Sequence, residues 1–317
     1  MKKITAISLV ILAIFSSCKK DSGPETTTGT PPAAARLIFK FKFDTAQARL
    51  DGFGQPANTL PSGHQAQCPK FNGMGAHYLE MTQNDITAVG GGTVLYKAPV
   101  VTTGITTGTF TDAIDFSQER IKGEGEEFFS MPLSSVTPGS YKWLRMSVAY
   151  QNYDIKYKFT YGGNPYYFTG TIASFIGYST YINSYNIKTQ SVNVGANKLQ
   201  GYWGFETSVN IGGVTTTTTS VGQAPPGATT VVNPLFSTSP IPAGSCLVTG
   251  QFVNSSGSPQ LLTITGHETS DIVITVSLST NKSFEWVDHS SDAWFEPAAG
   301  DTVVDMGIRG MKPIITP

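Results

Sequence analysis

A chain of 317 residues with a formal net charge of −1 and only 14% charged side chains lacks the basic surplus that phosphate neutralisation requires, which excludes nucleic acid as a partner. Gly, Thr, Tyr and Phe are abundant while Leu, Glu and Lys are thin, a composition suited to strands and turns and not to long helices. Without its leader the chain keeps about 300 residues, enough for one large β domain or two smaller ones.

The leader comes first. Lys2 and Lys3 precede the apolar run ITAISLVILAIF, about twelve residues and well short of the roughly 20 that a permanent span requires. These are the proportions of a secretory segment. The run closes on Phe15-Ser16-Ser17-Cys18, the pattern of a bacterial lipoprotein cleavage site. It predicts a signal peptide over 1–17 and acyl chains, palmitate among them, on Cys18. The stretch KKDSGPETTTGTPPAAA that begins at Lys19 holds no hydrophobic residue larger than alanine. It cannot bury enough apolar surface to offset its ordering entropy, so 18–35 is expected to be a disordered tether. The expected address is the outer membrane, reached through the N-terminal lipid, with the periplasmic and exposed sides both open.

Strand patterns begin at RLIFKFKFD, where Phe39, Phe41 and Phe43 alternate with Lys40 and Lys42. Further on, VGGGT at 89–93 lacks the Lys-Ser/Thr of a phosphate loop. Glu124, Glu126 and Glu127 in KGEGEEFF read as a solvated turn; a glycosidase pair needs a gap of roughly 5–10 Å across a cleft. Pro138-Gly139 opens another strand. Ile155, Tyr157, Phe159 and Tyr161 alternate with polar residues up to a turn at Gly162-Gly163-Asn164-Pro165, a hairpin signature. Residues 141–205 hold eleven of the thirteen tyrosines, together with Trp143 and Trp203. Two readings fit: these rings fill strand faces, or Tyr166, Tyr178, Tyr181, Tyr185 and Trp203 form a platform for a glycan or an envelope protein. The tract GGVTTTTTSVGQAPPGATT lies in the Thr-, Gly- and Pro-rich stretch 206–245 that follows, and DIVITVSLS resumes the alternation. No window shows a helical apolar period. The fold class is all-β: an antiparallel β-sandwich of immunoglobulin-like or jelly-roll type. Its core is expected over 36–160 plus 246–317, with 161–245 as an insertion.

Two further features carry chemistry. Once Cys18 takes lipid, Cys68 and Cys246 remain; they pair, which would stabilise the fold by about 4–5 kcal/mol in the chain-entropy model, or stay as thiols. Near the C-terminus, SFEWVDHSSDAWFEPAAGD packs five carboxylates into nineteen residues. Asp288, Ser290, Asp292 and Glu296 fall at positions 1, 3, 5 and 9 of a calcium-loop rhythm, with the Trp294 carbonyl at 7. Ala293 stands where glycine would ease the turn, and Ala299 where the closing acid belongs, leaving Asp301 as a late substitute. Calcium loop and plain acidic turn are both open.

The order LIFKFKFD, GMGAHYLEMTQNDI, GTVLYKAP, AIDFSQ and SSVTPGSYKWLRMSVAY, over about residues 36–155, resembles the MbnP-like proteins, β-sandwich proteins of the periplasm or surface named for a methanobactin-associated copper binder. The clearest shared element is the turn Pro138-Gly139-Ser140-Tyr141. The resemblance implies a domain able to bind copper. The residues suited to Cu(I) are Met74, His77 and Met81, with His64 or His267 as additions; no family ligand maps onto them one by one. Four scattered histidines, without HExxH or GxSxG, make an enzyme the weaker expectation. The functional expectation is a non-enzymatic binding or adhesion module of the cell envelope, with a metal-handling protein (copper or calcium) as the alternative.

Overall fold

Leu37, Phe39 and Phe41 point into the core from β1 (Arg36–Asp44) while Lys42 faces solvent, as its alternation requires. After β1 come β2 (His64–Gln67), β3 (Lys70–Thr82), β4 (Thr93–Lys97), β5 (Val100–Val101), β6 (Ala113–Asp115), β7 (Glu127–Pro132) and β8 (Gly139–Tyr141). The middle of the chain supplies β9 (Trp143–Tyr161), β10 (Asn164–Phe175), β11 (Ser179–Asn186), β12 (Ser191–Leu199), β13 (Tyr202–Ile211) and β14 (Val214–Gln223). The last are β15 (Leu247–Gln251), β16 (Leu262–Ile264), β17 (Ile272–Ser279), β18 (Phe284–Val287), β19 (Thr302–Asp305) and β20 (Met311–Thr316). This computed structural model describes residues 34–102, 111–225, 232–235, 237, 238 and 246–316. The signal peptide, Cys18 and nearly all of the expected tether lie outside them.

The fold is all-β, with antiparallel sheets in a sandwich-like arrangement. Its central layer is the sheet β14-β13-β10-β9-β3-β4, to which β15 adds along β9. Against one face lies the sheet β20-β17-β1-β7; Leu37, Phe39, Phe41, Ile274, Val276 and Leu278 meet Leu79, Met81, Leu144, Met146 and Val148 there. Beside it the small sheet β19-β18-β2 seals a second cluster, in which Phe284, Trp286 and Phe295 cover Tyr153, Ile155, Tyr157, Ile172 and Phe205. On the opposite face the sheet β12-β11-β6-β5 packs Ile182 and Tyr185 against Tyr150, Phe175 and Tyr202. Aromatic residues therefore fill both faces of the central sheet.

Two features depart from the sequence expectation. The described residues of 161–245 do not stand apart as an insertion: β10, β13 and β14 continue the central sheet, and Ala34–Pro317 is one unit. The chain also pairs β1 with β17 in parallel, from Leu37↔Ile272 to Asp44↔Ser279. The expected hairpin is present. Gly162 and Gly163 (φ 57° and 79°) make a two-residue turn between Tyr161 and Asn164, and Gly212-Gly213 (62° and 82°) repeat it between β13 and β14. Left-handed φ at both central positions is what such turns demand, so glycine is needed there.

Candidate functional site

A pair of bulges creates the most chemically furnished cavity. β3 pairs with β9 so that Gly75 faces Tyr150, Ala76 faces Val148 and Tyr78 faces Ser147. Ala149 and His77 are thus the extra residues in this stretch, one on each strand. The Ala149 bulge flips the parity of β9, which is why Leu144, Met146 and Val148 and later Tyr153, Ile155 and Tyr157 all serve the same face of the sheet. The His77 bulge re-aims the imidazole, whose ring centre comes 5.4 Å from that of Tyr178 at 60°. His77, Tyr178, Asp112, Ser147 and Cys246 line a cavity of about 290 Å³ whose walls are otherwise mainly apolar. Three residues assigned from the sequence to three different purposes meet here.

Burial governs His77, Cys246 and Tyr178 in this cavity, whose lining also carries Lys97 and Asp112. Burial, reinforced by the Lys97 charge, pushes the His77 imidazole down to about 4, so it is neutral at pH 7. Its Nδ1 is shielded and has no hydrogen-bond partner among the described residues. Burial likewise pushes the Cys246 thiol up, and the Ser147 hydroxyl lies 3.2 Å from its Sγ. Burial, with the neighbouring Asp112 carboxylate, raises Tyr178 to about 12. A nucleophilic thiolate–imidazolium pair needs shifts in the opposite directions. His77 and Cys246 are therefore not such a pair. Of the two cysteines in the described residues, Cys68 is exposed and should react with a thiol reagent at once, whereas Cys246, half-buried in the cavity wall with its thiol pushed up by burial, should react more slowly. Loss of the fast phase in Cys68→Ser, measured by stopped-flow absorbance, checks the assignment.

The other sites expected from the sequence resolve differently. Cys68 and Cys246 do not pair: both are free thiols. Cys68 sits at a turn, where its sulfur accepts from the Lys282 amide at 3.3 Å. The copper set does not converge. Met74 and Met81 are buried in the main core, and seven residues of strand separate them by about 20 Å. His64 is drawn to Glu285 and His267 is exposed on a turn. The residues present do not fit a copper centre of that composition.

The acidic loop is held by a cation from the protein itself. Lys158 forms ion pairs with both Asp292 and Glu296, the latter at 2.6 Å. Asp288 accepts from the Ala293 amide at 2.8 Å and from the Ser290 hydroxyl at 3.1 Å. Asp301 accepts from the amides of His289 and Glu296 at 2.9 and 2.7 Å. Trp294 instead packs its ring against Tyr167, tilted by 51° with centres 4.4 Å apart. Among the described residues no group of three or more His, Cys, Asp or Glu is arranged to hold a metal ion. The oxygens that fitted a calcium rhythm serve an ammonium and a set of amides, which fixes the loop over the free edge of β9, where Lys158 N–H donates to the Phe295 carbonyl at 2.8 Å.

The tyrosine platform does not form either. Tyr185 is buried, Tyr166, Tyr178, Tyr181 and Trp203 are half-buried, and the five are divided among different clusters. The exposed rings are Tyr161 and Tyr167, at 60% and 54%. Sequence reasoning also missed a buried ionic centre. Glu285 faces Asp305 across the β18–β19 pair. Arg49 and Arg309 both reach Glu285, and Arg309 also binds Asp305. His64 Nδ1 lies 2.7 Å from Glu285 Oε1. Burial raises the Asp305 carboxyl to about 6, with the Arg309 charge opposing it. Only the alternation of β18, which places a glutamate between Phe284 and Trp286 in a buried strand, signals this centre in advance.

Compared with family models, with curated proteins and with solved structures, the chain matches none. The resemblance to MbnP-like proteins therefore rests on the residues of 36–155 alone.

Proposed function

We propose that this chain is a lipid-anchored, non-enzymatic binding module of the bacterial cell envelope, with the His77 cavity as its ligand seat. The observation that carries the reading is the buried Nδ1 of a neutral His77, without a partner among the described residues, in a mainly apolar cavity. Such a group asks for one hydrogen bond with whatever fills the space, so the fitting ligand is a small molecule with an apolar body and one hydrogen-bonding group, acceptor or donor as the His77 tautomer requires. The anchor half of the proposal rests on the leader and Cys18.

Both halves have a direct test. Cys18→Ala should abolish incorporation of an alkyne-tagged fatty acid and move the protein out of the membrane fraction; unchanged labelling sinks the anchor. Native mass spectrometry of the full chain, screened against small phenols and alcohols, should give a stoichiometric adduct that His77→Phe loses. Absence of any adduct or thermal shift across that set overturns the ligand seat.

A further inference from the structure

Sheet edges are normally blunted, because a row of unpaired backbone N–H and C=O groups recruits other strands. The β14 edge is not. Its ten residues, VTTTTTSVGQ, hold no charge and no proline, and they pair with β13 from Tyr202↔Gln223 to Ile211↔Val214 without a register shift. Nine of the ten are exposed, including Val214 at 68% and Val221 at 50%. No described strand pairs with its outer side. Pairing between β10 and β13 ends at Gly170↔Thr207, so from Ser208 onward the hairpin continues as a two-stranded ribbon. Ribbons of two strands are marginal by themselves. Here cross-strand side-chain hydrogen bonds support it: Thr207 with Thr218 at 2.8 Å, Asn210 with Thr215 at 2.7 Å and Thr217 with Ser208 at 3.2 Å.

We propose that β14 docks antiparallel against β14 of a second copy of this chain, joining two central sheets edge to edge. A two-fold axis between antiparallel strands must set one residue opposite itself. Centred on Thr217, it places Thr216 opposite Thr218 and Thr215 opposite Thr219, so threonines face threonines along the tract. Threonine pairs of this kind favour cross-strand pairing. A foreign strand read for its sequence would need pockets or charges along the threonine tract; β14 carries no charge, and the cavity it helps to line lies past the tract, at Ser220 and Gln223. A second copy needs only the backbone and the threonine ladder, and meets no like charge on β14. Pairing turns each two-stranded ribbon into half of a four-stranded sheet.

The test uses the full chain in a Cys68→Ser background. Thr217→Cys should give a disulfide-linked dimer under mild oxidation in membranes and in detergent. Adding Thr216→Lys and Thr218→Lys should remove that band and leave monomers in density-matched sedimentation, with the circular dichroism spectrum unchanged. A monomeric parent chain at tens of micromolar without the cross-link overturns the proposal. So does a cross-link to a species of another mass, which would make a different protein the occupant.

Discussion

Replacing Glu285 with alanine is expected to cost about 3–5 kcal/mol of stability, because it strips the shared acceptor from Arg49, Arg309 and His64 inside the fold. Two guanidinium groups would remain with Asp305 as their one nearby carboxylate, itself bound to Arg309. Urea unfolding followed by tryptophan fluorescence reads the loss directly, since Trp286 stands next to the substituted position. A cost below about 1 kcal/mol would mean that water reaches the centre and screens it. The double variant Glu285→Met with Arg49→Met should recover much of the loss, because a well-packed apolar pair avoids the desolvation penalty that a half-pair pays in full.

The second large effect is a gain, and it depends on pH. Glu119 is shielded next to Gly75; neither of its carboxyl oxygens has a hydrogen-bond partner among the described residues, and burial raises it to about 8. Its neighbour Arg120 provides no counter-ion, being drawn over the rings of Tyr96 and Phe129 at 5.2 and 5.9 Å. With the folded value above the unfolded 4.5, the folded state holds the proton more tightly. Stability is therefore undiminished by this group below pH 4.5 and falls as pH rises toward 8, by about 3 kcal/mol at pH 7. Glu119→Gln should be more stable than the parent at pH 8, by about 1–3 kcal/mol after its own unpaired amide is counted, and no more stable at pH 4. Melting temperatures across that range decide it; parallel curves for the two proteins would show that Glu119 is hydrated.

Local patterns were legible in the sequence, and long-range ones were not. The alternation of β1, β17 and the β9–β10 hairpin was visible because a strand with one buried face writes its period into the residues. The bulges at His77 and Ala149 were invisible, since an extra residue leaves no local mark and shows only as a parity change against a partner strand. The acidic loop shows the same boundary from the other side. Its oxygens were spaced for a cation, and a cation is there. That cation is Lys158, more than 130 residues upstream, which the alternation of β9 could only classify as polar. The ionic centre joins Arg49 to Glu285 across 236 residues and was beyond any local signal. Of the two readings of the aromatic residues, the filling of strand faces is the one seen: a central sheet covered on both faces has buried positions on both sides, so tyrosine density reported layers and not an exposed surface.

The parallel alignment of β1 with β17 also sets an order of events. A chain is made amino end first, so β1 exists long before its partner β17, and before β20 that flanks it. The earliest strand to arrive is among the last to be satisfied. Until the final 50 or so residues have followed, β7 is the one described strand paired with β1 in its sheet, and the β17 side of β1 stays open. Closure of this sheet is thereby reserved for a chain extended through β20, and a product cut short after β16 would present an open strand edge along β1.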